Sequence, residues 1–141
     1  MPDFISSILM GLQVAASVDN LFYCLLGVML GTAIGVLPGV GPIITISLLL
    51  PLTFGLPPTG SLILLAGIYY GAAYGGSTTS ILLNLPGEAS SAVTCLDGHQ
   101  MARRGRAGSA LAIAALGSFF AGTIGTVLIA AAAPAMASVA A

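Results

Sequence analysis

Between Tyr74 and Ser91 the chain reads YGGSTTSILLNLPGEASS, which places the glycine pair Gly75-Gly76, four successive hydroxyl residues and the amide of Asn84 inside apolar sequence. Hydroxyl, amide and carbonyl oxygens are hard ligands suited to a small cation. A second punctuated stretch, GVLPGVGP over 35–42, carries Pro38, Gly39, Gly41 and Pro42. Proline removes an amide donor and glycine permits positive φ, so a regular helix is expected to break at both places. Each break would start a second half-helix near bilayer depth, with Ser77 and Thr78 as N-cap candidates at the second. The free amides and partial positive charge of such an N-terminus suit a carboxylate. Freed carbonyls, the hydroxyls of Ser77, Thr78, Thr79 and Ser80, and Asn84 suit a cation, with a transient Na+ expected at Ser77, Thr78 and Asn84. No Lys or Arg lies in an apolar segment, so an anionic substrate must be met by helix ends, by a co-bound cation or by residues outside this chain. Ion-coupled uptake fits that pattern better than a permanent arginine clamp. Capping and interhelical hydrogen bonding are the plain alternative for the same hydroxyls.

The elements that hold these residues belong in a membrane. Hydrophobic residues make up 57% of the 141 and charged residues 5%, with a mean hydropathy of +1.10, whereas soluble domains carry roughly 25% charge. Three basic and four acidic side chains could not cover the surface of a soluble domain of this length. The net charge of -1, without basic patches interleaved with aromatics, gives nucleic-acid binding no support. Cys24 and Cys95 form neither a disulfide framework nor a metal site by spacing. No cleaved signal peptide is expected at the N-terminus.

Along the chain, residues 1–20 read as an amphipathic interfacial helix and 21–141 as part of a transporter membrane domain. Asp19-Asn20 is expected to cap a first membrane helix over 21–37, where Gly27, Gly31 and Gly35 line one face for close helix packing. Residues 43–56, with Pro51, read as a half-helix with a kinked continuation. The uncharged run 61–85 is long enough to cross a bilayer but is expected to be interrupted at Gly75-Gly76, with Gly67, Gly71 and Gly75 again on one face. A polar loop is expected over 88–108, holding Glu88, Asp97, His99, Arg103, Arg104 and Arg106. No second ligand pair marks a metal site there. The three arginines act as topology signals and place the loop in the cytoplasm. A last apolar span covers 107–133, and the abrupt end reads as that of a fragment. The expected fold is therefore all-α and integral to the membrane, with several transmembrane helices, two of them Gly/Pro-broken and candidates for re-entrant turns.

The blocks GVLPGVGP, IYYGAAYGGSTTSILLNLPGEASS and TCLDGHQMARRGRAGSALAIAALGSFFAGT keep their order over nearly the whole chain, which resembles the large membrane subunit of tripartite tricarboxylate transporters, the TctA family. The resemblance implies a multi-pass permease of the bacterial inner membrane, driven by a cation gradient of Na+ or H+ and needing no other cofactor. It implies a small membrane subunit and a periplasmic substrate-binding protein as partners, a carboxylate substrate, and a second related half that would make this one repeat of two. By motif, Pro38, Gly39, Gly41 and Pro42 match the first signature, and Gly75, Gly76, Ser77, Thr78, Thr79, Asn84, Pro86, Gly87 and Glu88 the second. An enzyme is not expected, because Ser77 as a nucleophile would need a base in reach and the single histidine lies in the polar loop. The competing reading is an assembly subunit with no substrate site, its glycine faces serving packing alone.

Overall fold

A computed structural model describes residues 3–140, the side chain of Ala140 excepted. Among the described residues every regular element is helical: α1 Phe4–Ala15, α2 Val18–Gly35, α3 Pro42–Leu49 with a 3-10 turn Leu50–Thr53, α4 Pro58–Leu83, α5 Ala92–Arg103 and α6 Ala107–Ala140. Helices α2 and α6 are long and apolar enough to cross a membrane.

The interfacial helix expected over 1–20 is shorter, with Met1 and Pro2 outside the described residues. It ends at Ala15, and the next helix starts at Val18 behind Ser17, not after Asp19-Asn20. Both residues of that expected cap lie inside the first turn of α2. Asp19 there complements the helix dipole, and Asn20 Nδ2 donates to the Val14 carbonyl at 2.8 Å, satisfying an end group of α1.

Helices α2 and α4 form the core of the fold. A Cβ on Gly27, Gly31 or Gly35 would collide with the carbonyls of Leu64, Ile68 and Ala72. The relation is reciprocal, since a Cβ on Gly67 or Gly75 would stand 2.8 Å from the Cys24 or Thr32 carbonyl oxygen, and one on Gly71 would collide with that of Val28. Backbone thus packs on backbone, as small-residue stripes permit. Because the partners rise together along both helices, α2 and α4 run parallel. The chain between them must therefore travel back, and α3 with its 3-10 extension makes that return. Pro51 sits in the 3-10 turn, and positive φ at Gly39 (82°) and Gly55 (89°) turns the chain at either end.

Three expectations fail here. Helix α4 runs unbroken through Gly75-Gly76. Each interior glycine costs about 1 kcal/mol of helix propensity relative to alanine, but both are buried at a close approach, and packing overrides propensity. The stretch 88–108 is likewise not one loop, because α5 occupies 92–103 and carries Cys95, Asp97 and His99. Gly98 lets α5 settle on the end of α4, where a Cβ would stand 2.8 Å from Ile81 Cγ1. His99 Nδ1 lies 3.0 Å from the Ile81 carbonyl, so this nitrogen carries the proton and donates to the last turn of α4. Finally, α6 continues through Pro134 instead of stopping at 133.

Candidate functional site

The two sequence signatures meet in space at Gly75-Gly76. The end of α2 lies on Gly75, whose Cβ would be 2.8 Å from both the carbonyl carbon of Gly35 and the amide of Val36. From the other side, Gly87 rests on Gly76, and a Cβ on Gly87 would come within 2.6 Å of the Gly76 Cα. Gly41 lies close to Glu88, its built Cβ 3.5 Å from the glutamate Cβ. The GVLPGVGP and LPGE segments therefore enclose the middle of α4, and the glycine pair is where they fit.

The hydroxyl run starts at the next residue, Ser77, with a chemistry different from N-capping. Its amides are committed inside a continuous helix, so no free N-terminus is presented there to an anion. Ser77 Oγ donates to the Ala73 carbonyl at 3.2 Å and Thr78 Oγ1 to that of Tyr74 at 3.0 Å, while Thr79 and Ser80 donate to Gly76 at 3.0 and 2.8 Å. Hydroxyls that spend their protons on the helix can offer only lone pairs outward. Thr79 and Ser80 are buried and self-satisfied.

Ser77 opens onto a cavity of about 280 Å³ between α4, the 88–91 segment, α5 and α6. Tyr69, Tyr70, Ala73, Tyr74 and Ser77 supply its α4 wall at the i, i+1, i+4, i+5, i+8 spacing of a single helix face. Glu88, Ser90, Ser91 and Thr94 face them, and Ser118 and Gly122 close it from α6. Glu88 is the one charged residue in the lining. Ser90 Oγ donates to its Oε1 at 2.6 Å, and Ser91 Oγ accepts from the Glu88 amide at 3.2 Å while donating to the Glu88 carbonyl at 2.9 Å, which holds the turn.

The predicted residues thus divide by position. Ser77 and Glu88 share the cavity, whereas Thr78 does not line it. Asn84 stands exposed at the end of α4 as a left-handed cap, φ 58° and ψ 29°. The trio Ser77, Thr78 and Asn84 is not gathered. Pro38, Gly39 and Pro86 are exposed, Pro42 and Gly87 buried, and Gly41 half-buried beside Glu88. Arg103, Arg104 and Arg106 are exposed at the turn from α5 to α6, with φ 76° at Gly105 between them. The tyrosines, Ser90, Ser91, Thr94 and Ser118 were missed from the sequence. The signal for the first three was available, because Tyr69, Tyr70 and Tyr74 fall on the helical face of Ser77. Among the described residues no group of three or more His, Cys, Asp or Glu side chains is placed to hold a metal.

Residues 21–141 match the Tripartite tricarboxylate transporter TctA family. The chain is also 63% identical over 140 residues to an Agrobacterium vitis protein described as an uncharacterized 52.8 kDa protein in the TAR-I ttuC' 3' region. That alignment takes in 99% of this chain and 28% of the relative, so the chain spans little more than a quarter of the relative's length. No solved structure matches.

Proposed function

The chain belongs to the tripartite tricarboxylate transporter TctA family, and from that membership we propose that it forms part of a cation-coupled, binding-protein-dependent permease that takes up tricarboxylates or related carboxylates. Its partners in this reading are a small membrane subunit and a periplasmic substrate-binding protein. It is a multi-pass protein of a bacterial inner membrane, with the turn bearing Arg103, Arg104 and Arg106 in the cytoplasm.

The observation that carries the reading is the charge of the cavity. Its lining holds one carboxylate, several hydroxyls and no base. A second carboxylate entering beside Glu88 meets like charge, which in a sheltered site is strongly unfavourable unless a cation enters too. Hydroxyl lone pairs at Ser77 with the Glu88 oxygens form a donor set suited to Na+, while Glu88 alone can take a proton. Cation coupling is thus assigned to Glu88 and Ser77 instead of Ser77, Thr78 and Asn84. The rival reading, an assembly subunit built on its glycine faces, is weakened because α2 and α4 spend those faces on each other.

The test is uptake of a labelled tricarboxylate by membrane vesicles holding the whole gene product and both partners, titrated with Na+ and with pH. Glu88→Gln is expected to make uptake insensitive to the cation gradient and to lower its maximum at least tenfold, about 1.4 kcal/mol or more. Normal cation dependence in Glu88→Gln would remove the coupling site from this cavity.

A further inference from the structure

Tyr70 borders two cavities at once. With Gly122 it lines both the polar cavity and an apolar groove of about 540 Å³ that runs past Ile8 and Leu12 of α1 and Phe119 and Val127 of α6. Tyr70 and Gly122 are the two residues common to both linings. The Tyr70 hydroxyl donates to the backbone carbonyl of Ser118, one turn before Gly122. A Cβ on Gly122 would stand 3.0 Å from ring atoms Cε2 and Cζ, so the absence of a side chain there is what lets the ring lie against α6. Tyrosine suits the position because its ring can face apolar groups while its hydroxyl stays hydrogen-bonded.

We infer that Tyr70 is a specificity-determining residue: its ring is the wall between the hydroxyl-lined cavity and the apolar groove, and it limits the site to compact, polar carboxylates. This rests on the transport reading above. Without the ring the two spaces join, and a carboxylate carrying an alkyl chain can place its head beside Ser77 and its chain along Phe119 and Val127. Each methylene so buried strengthens binding by about fourfold.

The wall is tested first without transport. In the whole gene product with native cysteines replaced, Ser77→Cys is labelled in membranes by a hydrophilic methanethiosulfonate or by a maleimide carried on an acyl chain. With Tyr70 in place the hydrophilic reagent reacts and the acyl-borne one is slow. Tyr70→Ala is expected to speed the acyl-borne reaction by about tenfold or more, since each methylene admitted to the groove favours that reagent by about fourfold. Gly122→Ala, which displaces the ring, moves it in the same direction, and Tyr70→Phe, which keeps the ring, stays near the parent. In the uptake assay, run with Ser77 intact, alkyl carboxylates then compete with the tricarboxylate in Tyr70→Ala but not in the protein with Tyr70. Acyl-borne labelling equally fast in the parent and Tyr70→Ala overturns the wall. Selective labelling, together with no carboxylate uptake by the protein that retains Ser77, keeps the wall and overturns the transport reading.

Discussion

Helix α4 presents two faces that do opposite work. One, through Gly67, Gly71 and Gly75, meets the backbone of α2 so closely that no side chain fits between them. The other, through Tyr69, Tyr70, Tyr74 and Ser77, borders a polar cavity. Small residues on the first face give rigid placement, and the hydroxyl of Ser77 on the second is the cation ligand proposed above. The lesson is that a glycine in this helix marks a scaffold contact, while a hydroxyl marks chemistry only where it points away from the packed face. Thr79 and Ser80, buried and bonded to Gly76, belong with the scaffold despite their type.

The contrast is broken most severely on the scaffold side. Gly31→Leu places a side chain against the Ile68 backbone, which cannot yield as a flexible side chain would. It is expected to cost about 3 kcal/mol or more, read as loss of the folded protein in detergent thermal denaturation. A Gly31→Leu protein as stable as the parent would mean that α2 and α4 do not pack this way.

A smaller effect separates the two glycines at the signature junction. Gly87→Ala drives a Cβ to 2.6 Å from the Gly76 Cα, whereas Gly76→Ala meets Gly87 at an ordinary 3.4 Å. The first is expected to destabilise by about 1–3 kcal/mol. The second is expected to be neutral or to stabilise by up to about 1 kcal/mol through helix propensity. A helix broken at Gly75-Gly76 predicts the opposite order, since alanine at a turn needing glycine angles is strained, so denaturation midpoints of the pair decide between the two structures.

The smallest effect is at Asn84. As a left-handed cap it should tolerate Asn84→Gly within a few tenths of a kcal/mol, while Asn84→Ala loses about 1 kcal/mol. Uptake with normal cation dependence in Asn84→Gly fits a cap. A raised cation requirement there would restore the ligand role first expected of this residue.

Much of the scaffold was legible in the sequence, because a four-residue glycine repeat on an apolar helix has one physical use, and Gly27, Gly31 and Gly35 against Gly67, Gly71 and Gly75 put it to that use. The turn at 38–41 was legible for the same kind of reason, since proline and glycine together exclude a helix. Gly75-Gly76 was misread because a glycine pair permits both a break and a close approach, and only the positions of Gly35 and Gly87, distant in sequence, decide between them. Helix α5 was missed because polar residues and Gly98 interrupt its apolar positions, and it docks on Ile81 through Gly98 and His99. Of the candidate site, Ser77 and Glu88 were legible as residue types, but their companions Ser90, Thr94 and Ser118 come from three separate segments that no local pattern links.

The central claim, that the hydroxyl face of α4 beside Glu88 is the site and the rest of the signature is scaffold, is tested most directly by substrate protection. Ser77→Cys and Asn84→Cys, each in the whole gene product without native cysteines, are labelled by a hydrophilic thiol reagent with and without tricarboxylate and Na+. The account predicts that the two together slow labelling at Ser77→Cys about tenfold, the effect of near-saturating occupancy, with neither sufficient alone and no change at Asn84→Cys. Protection at Asn84→Cys with none at Ser77→Cys would contradict it.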